Sequence, residues 1–199
     1  MKKSTLLIKS ALYLIVCELA GFVITMFFPW SYQSLGMVMC FVFGICSLGA
    51  ALCIYADFCL KAGGKMNTRS MRDLGQKPND KHFGAIIGAV PAGINYIYVI
   101  LLYLSKFGVI KADLFPLYKT LTFYFMPLTY IFAPNHLEYN AEGVSMSVNV
   151  PASELSVWLL LLVTLLPLLF ILTCWAAYYV GFEHVDLKEK ILYGGQNRS

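Results

Sequence analysis

Residues 157–180 read "VWLLLLVTLLPLLFILTCWAAYYV", 24 residues without a single charged side chain. Crossing the hydrocarbon of a bilayer takes about 20 mostly apolar residues in a helix. No water-soluble fold needs an uncharged run of that length, so this stretch is read as a membrane span. Three more stretches meet the same test. With the last one they predict spans over roughly 10–30, 36–58, 84–105 and 156–181. The composition agrees: 59% of the 199 residues are hydrophobic, 13% are charged and the mean hydropathy is +0.68. Soluble domains carry nearer a quarter charged residues.

The N-terminal run follows Lys2 and Lys3 but continues to Phe28, longer than the core of a cleaved signal. "LIVC" (14–17) lacks the small residue that a lipoprotein cleavage site has before its cysteine. The run is expected to be a retained helix.

Charge sets the expected threading, since Lys and Arg concentrate on the cytoplasmic side. With four helices and both termini inside, 12 of the 15 basic residues are cytoplasmic. They are Lys2, Lys3 and Lys9, the six of an inner loop over 59–83, and Lys188, Lys190 and Arg198 of a tail over 182–199. Lys106, Lys111 and Lys119 fall in an outer loop over 106–155. A fifth stretch, "LFPLYKTLTFYFMPLTYIFA" (114–133), is long enough to span. Making it do so would carry the segment 134–155, which has no Lys or Arg, inside. Its many Phe and Tyr residues suit the headgroup level, and it is read as an interfacial or re-entrant helix broken at Pro127. The alternation of Val144, Met146, Val148 and Val150 with Ser145, Ser147 and Asn149 predicts a short strand. Ser153 is expected to cap the last span, with Glu154 in its first turn. Residues 185–195 suggest a short helix capped by Asp186. The expected fold is thus an all-α membrane protein. It has four transmembrane helices in a single polytopic domain, and a long outer loop holds the interfacial or re-entrant helix.

Polar groups inside the spans are few. A charge at a helix centre costs roughly 2.5–3.5 kcal/mol on insertion scales. Glu18 lies nine residues after Lys9, about 13 Å into the span at 1.5 Å per residue. Asn95 and Thr173 fall at a similar depth in two other helices. Together they form a candidate intramembrane polar cluster. It serves either as a proton or ligand site or as a hydrogen-bonded strut in which Glu18 meets Asn95 or a backbone carbonyl. Asp57, at the end of the second span, is expected to reach the headgroups or Lys61. Gly84, Gly88 and Ala92 recur every four residues and predict close helix packing, with the partner helix open. Gly63, Gly64, Gly75 and Pro78 are expected to break up the basic inner loop. There Lys65, Arg69 and Arg72 are candidates for docking anionic lipid or an acidic cytosolic partner, and another membrane subunit is a further expected partner of the protein.

Motifs for chemistry are wanting. "AGGKMNT" (62–68) has Cys59 where a phosphate loop needs glycine, and Met66 where it needs Ser or Thr. His82, His136 and His184 lack the spacing of a metal site. The six cysteines lie in or beside apolar runs without a C-x-x-C pair, so they read as small hydrophobes. No enzyme, cofactor, metal or nucleic-acid partner is expected.

"DKHFGAIIGAVPAGINYIYVILLYLSK" (80–106) and "YYVGFEHVDLKEKILYGG" (178–195) resemble a group of small multi-pass membrane proteins of Gram-positive gut bacteria. There an Asp-Lys precedes a Gly-rich, Pro-containing helix, and a last helix runs through a Gly-aromatic turn into a basic tail. The resemblance covers about a quarter of the chain. It implies four helices and a bacterial cell membrane, and carries no activity.

Overall fold

A computed structural model describes residues 3–27, 36–73, 82–133, 136–139, 145–148 and 150–183, without the side chains of 67–73, 136–139 and 145–148. The expected tail helix and the side chains of Arg69 and Arg72 lie outside what it describes. The elements are α1 (Lys3–Thr25), α2 (Met37–Asp73), α3 (Phe83–Lys106), α4 (Phe115–Thr120), α5 (Met126–Phe132), β1 (His136–Tyr139), β2 (Ser145–Val148), a 3-10 turn (Ala152–Glu154), α6 (Val157–Leu165) and α7 (Leu168–Phe182). Four helices are long and apolar enough to cross a membrane: α1, α2 over Met37–Met66, α3, and α6 with α7 taken together. The protein is an all-α membrane protein with four spans, as the run lengths required.

Lipid-facing residues explain the composition. Ile8, Leu12, Ile15, Leu19 and Phe22 form one exposed apolar face of α1, and Val38, Phe41, Val42 and Ile45 do the same for α2. Such faces suit hydrocarbon and would be costly in water.

Helix α2 departs from the expected pattern. It does not end near residue 58 but runs on to Asp73, straight through Gly63 and Gly64. A glycine costs about 1 kcal/mol in a helix relative to alanine. Here Gly63 offsets that cost by packing. A Cβ on Gly63 would strike the Tyr178 carbonyl and lie 2.8 Å from the Phe182 nitrogen, and one on Gly181 would strike Leu60. The two helices therefore cross with backbones nearly touching, which buries Tyr178 and Phe182 completely.

The small-residue face of α3 meets the same helix. A Cβ on Gly84 would lie 2.6 Å from the Cys174 carbonyl, and one on Gly88 would lie 2.6 Å from the Phe170 carbonyl; Ala92 is buried on the same face. The partner helix left open by the sequence is α7 of the same chain. Ala85, Ala89 and Gly93, small residues at the same spacing on another face of α3, are exposed or half-exposed.

The last span is interrupted at Leu166–Pro167, where proline cannot donate to the preceding turn. Its cap is Ser156, whose hydroxyl accepts from Leu159 N at 3.2 Å. Ser153 and Glu154 belong instead to the 3-10 turn before it. The expected strand is β2, paired antiparallel with β1 so that His136 faces Val148 and Tyr139 faces Ser145.

Segment 114–133 forms two short helices rather than one. Pro116 and Pro127 each sit in the first turn of theirs, where a missing N–H costs nothing, so Pro127 starts α5 instead of breaking a helix. The break is 121–125. Phe115 and Ala133 share one buried cluster with Leu102, Val150 and Leu155. Tyr124 and Phe125 share another with Tyr55 and Phe170. The segment thus enters the bundle and leaves it at the same end, with a turn that is re-entrant with respect to the other helices. Lys119 rides in with it, its ammonium 4.4 Å from the Phe115 ring centre and 4.3 Å from that of Tyr130.

Candidate functional site

The re-entrant turn brings two of the three expected polar residues together. Phe123 N donates to Glu18 Oε2 at 2.9 Å, and the next residue, Tyr124, donates its hydroxyl to Asn95 Oδ1 at 2.7 Å. Glu18 and Asn95 therefore do not meet directly; adjacent residues of the turn join them. Asn95 is oriented by its own amide, which donates to the Pro91 carbonyl at 2.8 Å. Thr173 stays apart. It is half-buried, and the residue turned into the bundle beside it is Cys174, against Gly88.

A non-helical turn inside a bundle leaves backbone groups that no water can satisfy. Glu18 supplies the acceptor for one of them. The approach depends on Gly21, three residues further along α1, where a Cβ would lie 2.6 Å from Tyr124 N and 2.9 Å from the Phe123 carbonyl carbon. Gly44 does the same on α2, against Leu128. Neither glycine stood out in the sequence. The signal available was a lone small residue one turn from a lone acid, which is too common to use.

Pro91 within α3 and the Leu166–Pro167 break in the last span leave backbone acceptors of their own. Pro91 lacks the N–H that would bond the carbonyl of Ile87. Ser10 Oγ of α1 donates to that carbonyl instead, at 2.9 Å, and Tyr55 of α2 donates to the carbonyl of Ser10 at 2.7 Å. Beside Pro167, the Thr164 carbonyl accepts from the Tyr96 hydroxyl at 3.0 Å. At Pro91, and at the break between α6 and α7, a backbone carbonyl thus takes a hydroxyl from a neighbouring helix, a substitute for the missing helical bond.

Among the described residues a few buried polar atoms are left over, Ser47 Oγ and the Tyr118 hydroxyl among them. Glu18 Oε1 is another, buried without a hydrogen-bond partner. It lies beside a cleft of about 320 Å³ lined by Leu14, Ile15, Leu19, Tyr98, Thr120 and Phe123. Asp57 pairs with Lys61 at 2.6 Å, as its position suggested. At the other end of the bundle Lys106 is structural, donating to the carbonyls of Ser153 and Leu155 at 3.1 and 2.6 Å. The described cysteines are all free, with Cys17, Cys40, Cys59 and Cys174 buried. Among the described residues no three His, Cys, Asp or Glu side chains gather as a metal site would require.

No protein family model, curated protein or solved structure matches this chain.

Proposed function

We propose that this is a non-enzymatic accessory or scaffold subunit of a membrane complex. It would lie in a bacterial cell membrane, with both termini cytoplasmic and 106–155 outside. One observation carries the reading: the polar groups at mid-bundle are engaged in holding the chain to itself. Glu18 secures the re-entrant turn, Asn95 holds its tyrosine, and Ser10 and Tyr96 serve the proline breaks. Groups consumed this way build a rigid body with apolar outer faces, which is what packing against another subunit needs. The test is stoichiometric copurification in mild detergent from native membranes. One fixed membrane partner, retained by a Glu18→Gln variant, is the expected result. A protein that runs alone at all concentrations would remove the reading.

A second reading, a small transporter component, is favoured by the unpartnered Glu18 Oε1 beside its cleft. An ionisable group that faces a cavity inside a membrane is a common element of proton coupling. Glu18→Gln separates the two, because glutamine keeps the acceptor for Phe123 and cannot exchange a proton. Loss of pH-gradient-dependent uptake in that variant, with the fold intact, favours transport.

A further inference from the structure

A second cleft lies between α1 and α2 at the opposite end of the bundle from the re-entrant loop. It measures about 340 Å³ and is lined by Leu6, Lys9, Leu12, Tyr13, Phe58, Lys61, Ala62 and Lys65. The two helices run antiparallel, so its lining sorts by depth. Lys9 on α1 and Lys61 and Lys65, one turn apart on α2, occupy the end where the apolar spans begin. Leu12, Tyr13 and Phe58 lie further in. Tyr13 and Phe58 stack with ring centres 4.5 Å apart and make a flat apolar wall, while Leu12 is 56% exposed along the open side. Asp57 neutralises part of the charge through Lys61, and among the described residues the cleft keeps two positive charges in excess.

The geometry points to this cleft as a binding site for one anionic phospholipid. The phosphodiester sits among Lys9, Lys61 and Lys65, and the first part of an acyl chain lies along Leu12, Tyr13 and Phe58. Charge complementarity selects the headgroup, and the apolar wall continuing inward from the lysines selects a lipid over a soluble anion. Long lysine side chains at the ends of spans reach the headgroup level naturally. Of the three residues that the sequence singled out for docking, Lys65 lines the cleft, and the side chains of Arg69 and Arg72 lie outside what is described. Lys9 comes from another helix and is brought there by the fold. The inference needs only that the four apolar helices cross a bilayer, and it stands or falls apart from the accessory role.

The test is lipid retention by the full-length protein in detergent, read by native mass spectrometry while titrating phosphatidylglycerol or phosphatidylcholine. The expected result is one saturable phosphatidylglycerol site that phosphatidylcholine does not fill. Each lysine contributes roughly fivefold to retention. Lys65→Gln therefore weakens binding by about that factor, and Lys9→Gln, Lys61→Gln and Lys65→Gln combined weaken it about a hundredfold. Lys111→Gln, exposed at the other end, leaves it unchanged. Leu12→Trp keeps every charge but fills the cleft, so it abolishes the site. Equal retention of the two lipids by the wild type, or phosphatidylglycerol binding that survives Leu12→Trp, would mean general adsorption to a basic surface and overturn the proposal.

Discussion

The Ser10 hydroxyl lies 2.9 Å from the carbonyl of Ile87, the residue four before Pro91. It takes the place of the N–H that proline lacks, and it comes from a different helix. Ser10→Ala should leave that buried carbonyl unpaired and cost roughly 1–2 kcal/mol. In the Ser10→Ala background, Pro91→Ala restores an N–H to Ile87 and should recover much of the loss. Unfolding of the single and double variants in detergent, analysed as a double-mutant cycle, measures this. Additive effects would show that serine and proline are not coupled.

Glu18 anchors the re-entrant turn through Phe123 N. Glu18→Gln retains an acceptor and should keep the turn in place. Glu18→Leu removes it, leaving a buried amide unsatisfied at about 1–3 kcal/mol. Amide hydrogen exchange over 121–125 is the readout: slow in the wild type and in the glutamine variant, fast in the leucine variant. Equal protection in all three would mean that the turn is held by packing alone.

Glycines on one helix should behave oppositely. Gly88→Ala places a Cβ 2.6 Å from the Phe170 carbonyl and should force α3 and α7 apart, at about 1–3 kcal/mol. Nothing lies within 4 Å of a Cβ at Gly93, so Gly93→Ala should be neutral or stabilise by up to about 1 kcal/mol. Thermal unfolding of the two variants side by side decides it. Similar losses would mean that both faces are packed.

The proposed threading is tested with single cysteines at Ser145 and Ser70 in a cysteine-free background. On intact cells a membrane-impermeant thiol reagent should label position 145 and spare position 70. The reverse pattern would invert the protein in the membrane, and labelling at neither would favour a fifth span over 114–133.

Where the sequence was read correctly, the decisive quantity was local. A run such as 157–180 is apolar enough to partition into hydrocarbon whatever its neighbours do, so the four spans could be counted from composition alone. The alternation at Val144–Val150 is equally local, and β2 lies within it. The Asp57–Lys61 pair needed only the i, i+4 spacing of one helix.

The departures share a cause. Gly63 and Gly64 read as helix breakers because propensity is a weak local preference, and the close crossing with Gly181 that outweighs it involves a residue more than a hundred positions away. Ser153 and Ser156 are both plausible caps by type. The Lys106 bonds to the Ser153 and Leu155 carbonyls hold the earlier residues in a 3-10 turn.

Sequence by itself determined that this chain has four apolar helices, that a carboxylate and an amide sit deep within two of them, and that small residues line one face of a third. It could not determine which groups meet. Depth follows from counting 1.5 Å per residue, but facing depends on how each helix is rotated about its axis. That rotation is settled by the sum of many small packing terms across the bundle. Only the tertiary structure, by threading a re-entrant turn past Gly21 and Gly44, decided that Glu18 would meet a backbone amide and Asn95 a tyrosine.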